Sequence, residues 1–411
     1  MRIECIAIGT ELLTTNRVDT NSVWLAQRLG ALGFGFSRKT VVGDGREDMR
    51  GVFLEALDRS DLIVCTGGLG PTFDDLTKEI WSEVLGAPLI EDPVAWRDIQ
   101  DFFAARQRPM PVTNRKQALV PLGAQALHNP VGTAPGILWE NPSGHSGVRI
   151  VLLPGVPREM KHLWEAYIEP ILRPLAGRQV HTLRMVVGSV GESALEVRTT
   201  PLREKHGHLD WTILAGLGAV ELVVRSARTE DLDAARIDFE RELGLDLICT
   251  GNATLEETVL ELLRQRGESL AVAESMTGGL AQSRLTAVPG CSDVFPGGAV
   301  VYSSNAKARL VEVDSALLRI HGTVSHATTQ ALAEGIRRKL DTTWGLAITG
   351  NAGPSEDKDG ASPIGTCFVA VAGPSGTQVQ TQVFPGARPD VQARTATWSL
   401  DFLRRQILAH S

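Results

Sequence analysis

Leu62–Glu79 reads LIVCTGGLGPTFDDLTKE, and this stretch decides the fold. Four apolar residues without polar alternation, Leu62–Cys65, read as a strand buried on both faces, the kind found in parallel sheets covered by helices. The run ends on Thr66-Gly67-Gly68, and a helix begins near Leu76. Bare amides beside a helix N-terminus make an anion site. Asp74 and Asp75 cannot bind a phosphate alone, but they can hold a divalent metal that does. The alternative is a plain turn with Asp75 as helix cap.

The flanking sequence repeats this alternation. Ile3–Ile8 reads as a strand, and Arg46–Arg59 places Met49, Val52, Phe53, Ala56 and Leu57 on one face of a helix. Ile150–Leu153 is a further strand, followed by PGVPREM and a helix through Tyr167. The result is a mostly parallel sheet with helices on both faces. Five polar loops fall where such a sheet binds ligands, at the carboxyl ends of strands. They are GTELL with Glu11 as a metal-ligand candidate, DTN at Asp19–Asn21, NRKQA with Asn114, Arg115 and Lys116, NPVGTAPG with Thr133, and PGVPREM. With Gly67, Gly68, Gly70 and Thr72 they form a candidate nucleotide site, and Asp74, Asp75 and Glu11 a candidate metal set.

The 411 residues carry 41 Lys and Arg against 48 Asp and Glu, a net charge of −7 that argues against a broad nucleic-acid footprint. Five scattered cysteines without a CxxC suggest neither a disulfide framework nor a zinc site. The N-terminus lacks the apolar core of a signal peptide, and no 18-residue apolar run is present. These features lead us to expect a reduced, cytoplasmic protein.

From about residue 170 the texture becomes that of a small α+β module, with strands near Leu183–Val187, Trp211–Leu214 and Val220–Arg225 and helices near Glu192–Arg203 and Leu232–Leu243. It holds a GxxG, Gly188–Gly191, followed by Glu192 rather than a basic residue; it reads either as a phosphate clamp or as a turn in a spacer. A second α/β unit opens at residue 250, where Thr254 and Glu257 form a capping box. Its AESMTGG, Ala273–Gly279, places Ser275 between a strand and a helix expected near Thr277. There it is either a helix cap or a nucleophile whose neighbouring amides, Thr277 and Gly278, stabilise an oxyanion. No histidine is close in sequence; Lys307, in VVYSSNAKARL after Tyr302, is the other possible base. TGNAGP supplies Thr349, Gly350 and Gly353 for a backbone pocket.

These motifs, long and in order, resemble the CinA family of competence/damage-inducible proteins along nearly the whole chain. The resemblance implies three parts: residues 1–169, a molybdopterin-binding-like three-layer domain; 170–249, a KH-type linker; and 250–411, an α/β amidohydrolase domain. It implies a Ser275–Lys307 dyad, with Tyr302 beside it, that deamidates nicotinamide mononucleotide. It also implies metal-dependent hydrolysis of ADP-ribose in the first domain, with Mg, Mn or Co, K+ as a candidate further cation, and no cofactor for the last domain. A late arginine should hold the nucleotide phosphate; Arg394 is preferred, with Arg388 second. A homodimer is expected, with no membrane and no direct nucleic-acid partner. The alternatives are a pterin- or nucleotide-binding module without turnover, or an interaction protein in DNA uptake or repair. Three departures stand out: Thr14-Thr15-Asn16 where Leu-Gly-Gln is usual, an extra serine in Tyr302–Asn305, and Ser355–Lys358 after TGNAGP.

Overall fold

The computed structural model describes residues 1–176, 180–188, 190–216, 218–355 and 362–410. The chain forms two compact units, Met1–His181 and Thr182–Ser411.

The first unit is built on a six-stranded sheet in the order Phe36–Val42, Ile3–Ile8, Leu62–Thr66, Arg149–Leu153, Gly136–Glu140, Gln125–Leu127. The first four strands are parallel, and the last two join antiparallel. Alternate residues of the central strands feed two separate cores. Ile63, Cys65, Ile150 and Leu152 pack with Phe53 and Trp81 on one face. Leu62, Val64, Val151 and Leu153 pack with Leu25, Leu29 and Trp164 on the other. This is why the strands are continuous apolar runs. Helix Arg46–Arg59 meets helix Thr77–Leu85 through stacked Phe53 and Trp81, with ring centroids 4.3 Å apart. The outer strand Phe36–Val42 exposes Ser37, Arg38 and Lys39.

Within the second unit, the antiparallel module has the order Asp210–Ala215, Ala219–Ser226, His181–Gly188, Leu247–Thr250, covered by helices Glu192–Lys205 and Thr229–Leu243. Its core includes Met185, Leu195, Leu222 and Phe239. The five-stranded sheet that follows runs Gly297–Val300, Leu270–Glu274, Trp344–Gly350, Thr366–Gly373, Gly376–Val383. Its first three strands are parallel and the last two antiparallel additions, so Gly376–Val383 is a largely exposed edge. The capping box at Thr254 is present, and helix Arg388–Ala409 closes the chain. Both architectures are mixed α/β with parallel-containing sheets. The loops GTELL, TGGLGP and PGVPREM in the first unit and AESMTGG in the second lie at the carboxyl ends of parallel strands, whereas NRKQA leads into the short strand Leu119–Pro121 of a separate two-stranded pair. No helix among the described residues is long and apolar enough to cross a membrane.

Candidate functional sites

In the first unit the loops after Ile3–Ile8, Leu62–Thr66 and Arg149–Leu153 surround a cavity of about 510 Å³. Hydrogen bonds join the sequence motifs in pairs. The Asp44 carboxylate accepts from the Thr10 amide at 2.8 Å, and Asn21 Nδ2 donates to the Gly155 carbonyl at 2.8 Å. Asn129 Nδ2 donates to Glu159 at 2.7 Å, and burial pushes the Glu159 carboxyl above its usual range. Gly67 and Gly68 have φ of +105° and +67°. A Cβ on Gly67 would sit 2.2 Å from the Ile8 carbonyl, and one on Gly68 2.1 Å from Thr77 Oγ1. Only glycine lets the turn pass there.

The Gly67 amide donates to Leu153, so it is not free for a ligand. The amides of Gly68, Leu69 and Gly70 have no acceptor among the described residues and form a concave donor set at the cavity. Thr72, Asp74, Asp75, Glu11 and Thr133 also line it. Of NRKQA only Gln117 does, which corrects the expectation for Asn114, Arg115 and Lys116. Asn114 is buried and donates to Gln117 at 2.8 Å. Arg115 is paired with Glu91 at 2.6 Å and is two-thirds exposed. Lys116 Nζ donates to the carbonyls of Thr72 and Asp75, bracing the turn rather than facing a ligand. Sequence reasoning passed over Arg17, the one cation lining the cavity among the described residues, because it sits in the departing loop at Thr14–Asn16.

The acidic residues face one cavity but do not converge. Among the described residues no group of three or more His, Cys, Asp or Glu side chains is arranged to hold a metal. Asp75 is turned back onto the Thr72 amide and hydroxyl. Asp74 is exposed, and a Thr72 hydrogen bond holds its carboxyl below the usual range. Hard carboxylate oxygens beside free amides fit a cation shared between one or two carboxylates and a ligand's phosphates, the usual situation for Mg²⁺, rather than a closed protein cage.

In the second unit, Ser275 and Lys307 meet. Lys307 Nζ lies 2.9 Å from Ser275 Oγ, and both residues are buried, 1% and 5% exposed. The lysine also donates to the Val301 carbonyl at 2.8 Å and, weakly, to Tyr302 at 3.5 Å. Desolvation pushes its pKa down to about 8, and no carboxylate opposes the shift. A neutral amine has two N–H bonds for the two carbonyls and one lone pair for the serine proton, so its neighbours match the base form. The strand Trp344–Gly350 holds Ser275 in place: the Ser275 amide donates to the Ile348 carbonyl at 2.9 Å.

The helix after Ser275 begins at Leu280, not near Thr277, with Gly279 as its cap residue. The reason is Glu274, which the sequence reading did not single out. Its carboxylate is fully buried and accepts from the amides of Gly279, Ala281 and Gln282 at 3.1, 3.2 and 2.8 Å. Ser275 is therefore not the helix cap, and its hydroxyl is left to Lys307. Gly278 donates its amide to the Ser275 carbonyl at 3.1 Å and drops out as an oxyanion donor. The amides of Met276 and Thr277 have no acceptor among the described residues, and Thr277 Oγ1 is buried without a partner.

Gly350 lies against the same loop, where an added Cβ would sit 3.4 Å from Met276 Cε. Thr349 shares a 2.6 Å hydrogen bond with Thr329. Tyr302 stands outside the pair: its ring is largely exposed and its hydroxyl accepts from Arg388 at 3.1 Å. Arg388 also donates to the Gly353 carbonyl at 2.7 Å, and Gln392, one turn on, to the Met276 carbonyl at 2.7 Å. The preference for Arg394 is thus corrected. Arg394 lines a different cavity with residues of the antiparallel module, and Arg388 is the late arginine beside Tyr302. The Glu356–Lys358 part of the third departure lies outside the described residues.

An α/β unit with a glycine-rich turn at its cavity, followed by an α/β unit with a buried serine–lysine pair, defines the architecture, and comparison with known proteins gives the family. Residues 4–174 match the model of a probable molybdopterin binding domain, and residues 252–407 that of the CinA C-terminal domain. A CinA-like protein of Prochlorococcus marinus (strain MIT 9313) is 42% identical over 99% of this chain and 96% of its own length. One of Acidobacterium capsulatum is 39% identical over 99% of this chain and all of its own. A crystal structure from Thermoplasma acidophilum, described as the protein CinA with unknown function, is 34% identical, covers 41% of this chain and 97% of that one, and has a TM-score of 0.37. The chain belongs to the CinA family.

Proposed function

We propose that the chain is a hydrolase of pyridine-nucleotide-related substrates that deamidates nicotinamide mononucleotide at Ser275. The observation that carries this reading is the buried 2.9 Å contact between Ser275 and a lysine whose pKa is pushed down to about 8. Neutral Lys307 takes the Ser275 proton as Oγ attacks the carboxamide carbon, and the oxygen of the tetrahedral adduct takes up the electron pair. The Met276 and Thr277 amides are the donors available to that oxyanion. The ammonium of Lys307 returns the proton to the leaving nitrogen, the C–N bond breaks and ammonia departs. Water then cleaves the ester by the same route reversed, releasing the acid. Arg388 is the anchor for the 5′-phosphate, with a planar donor fork suited to that group.

The first unit, in this proposal, hydrolyses the pyrophosphate of ADP-ribose. The free amides of Gly68, Leu69 and Gly70 and the Arg17 guanidinium bind its phosphates. Asp74, with Asp75 or Glu11, would hold a divalent metal, which supplies charge neutralisation at the phosphates when bound.

The deciding experiment measures ammonia release from nicotinamide mononucleotide beside AMP release from ADP-ribose. Ammonia release that vanishes in Ser275→Ala supports the reading. Unchanged ammonia release in that variant refutes it.

A further inference from the structure

The terminal helix has a second face, and it looks onto a second cavity. Between the antiparallel module and the five-stranded sheet, within one compact unit, lies a space of about 390 Å³. That is within the range of small-molecule sites. Arg394, Trp398 and Phe384 line it, together with Gly191, Glu192 and Gly218.

The arginines of this helix differ in one respect. Arg388 is bonded to Gly353 and Tyr302, Arg404 to Asp401 and the Leu245 carbonyl, and Arg405 to Asp401 and Asp246. Arg394 has no ion pair or hydrogen bond among the described residues, and its Nε is sealed from solvent without a partner. Arg394 thus lines the cavity as a partly buried guanidinium without an acceptor, which is costly and which proteins rarely leave so. Neither carboxylate of the helix supplies the acceptor: Asp390 accepts from the Ala387 amide, and Asp401, which also lines the cavity, is taken by Arg404 and Arg405. Across the cavity, the 14-residue helix Glu192–Lys205 has Gly191 as its N-cap with no side-chain cap, and Gly191 and Glu192, where its first unpaired amides lie, line the same space. The apolar wall is aromatic, with the Phe384 and Trp398 rings edge to face at 5.8 Å. Glu192 is exposed and stands at the rim.

We propose that this cavity is a second ligand site, separate from Ser275, for a mononucleotide-class molecule. Its phosphate is held by Arg394 and the amides at Gly191–Glu192. Its flat base lies against Trp398 and Phe384, and Glu192 accepts from sugar hydroxyls. This assigns a task to the GxxG end of the antiparallel module that a spacer turn does not have. The assignment does not depend on what Ser275 does.

The test is a titration of the full chain, labelled with ¹⁵N at tryptophan, with AMP. The indole N–H of Trp398, identified by its loss in Trp398→Phe, is a local probe, so AMP bound elsewhere does not interfere. The expected result is a saturable shift of that resonance, with affinity about ten- to a hundredfold weaker in Arg394→Ala, the loss expected for a charged hydrogen bond, and a smaller loss in Arg394→Lys. Unmoved indole resonances of the other tryptophans show that each variant is folded. The proposal is overturned if AMP up to about 10 mM leaves Trp398 unshifted, or if both Arg394 variants titrate like the parent. Inorganic phosphate that reproduces the AMP titration in full overturns the assignment to a mononucleotide.

Discussion

The pH dependence of ammonia release tests the Ser275–Lys307 chemistry most directly. The lysine must be neutral to accept the serine proton, and burial without a carboxylate partner brings its pKa from 10.5 to about 8. At pH 7 that shift leaves about one molecule in ten with the base form. An ordinary lysine would leave about three in ten thousand, so the buried site gains roughly 300-fold. kcat/KM for nicotinamide mononucleotide should rise about tenfold per pH unit from 6 to 7, rise about fivefold more to pH 8, and level off above about 9. Lys307→Arg keeps a cation in the space but cannot release its proton near neutrality, so activity should fall at least about a thousandfold at every pH. The assay is coupled ammonia detection at low substrate between pH 6 and 10. A profile that falls through pH 8, or one flat from pH 6, contradicts a lysine base; so does substantial activity in Lys307→Arg.

Glu274→Ala leaves three helix amides without their acceptor, so we expect a lower melting temperature and at least about a tenfold drop in kcat with KM little changed. Glu274→Gln should not restore kcat, because its NH₂ would face amide N–H groups. Arg388→Ala should raise KM for nicotinamide mononucleotide about ten- to a hundredfold in steady-state assays while leaving turnover of the riboside, which lacks the phosphate, unaltered. Asp74→Asn should abolish AMP release from ADP-ribose, as should EDTA, with ammonia release intact in both cases. Lys78 is buried, donates to the Lys116 carbonyl and has its pKa pushed down to about 8 by burial. The native state therefore binds fewer protons than the unfolded chain between pH 8 and 10.5. Wild type should gain stability relative to Lys78→Met across that window in urea denaturation, and a constant difference would remove Lys78 from that role.

What could be read in the sequence followed from periodicity and order. LIVC and its partner strands announce a sheet covered on both sides because alternate residues serve two cores. The serine and lysine were found through their motifs, since 32 residues of separation say nothing about distance. Side-chain direction around the terminal helix was not legible. Arg388 and Arg394 are six residues apart, which turns them about 120° away from each other at 3.6 residues per turn. Only the former can face Tyr302, with Gln392 one turn on along the same face. The Glu274 clamp was hidden for a different reason. A carboxylate that caps a helix normally sits at its first positions, whereas this one reaches amides five to eight residues ahead. Lys116 and Arg115 looked like phosphate ligands because their charge is visible in sequence, while their engagement with carbonyls and Glu91 is not.

The margins of the two large sheets differ in a way that bears on how the chain fails rather than how it works. In the first unit one outer strand is fronted by Arg38 and Lys39, and the other, Gln125–Leu127, is only three residues long. Charge and brevity both discourage a stray chain from pairing there. The second sheet ends in Gly376–Val383, GTQVQTQV, eight residues without a charge or a proline and largely open to solvent. That strand is the template along which partly unfolded copies would first stick together, and turbidity on heating should begin from it. A lysine at Gln380, exposed and outermost, would delay that onset without touching either cavity or the serine.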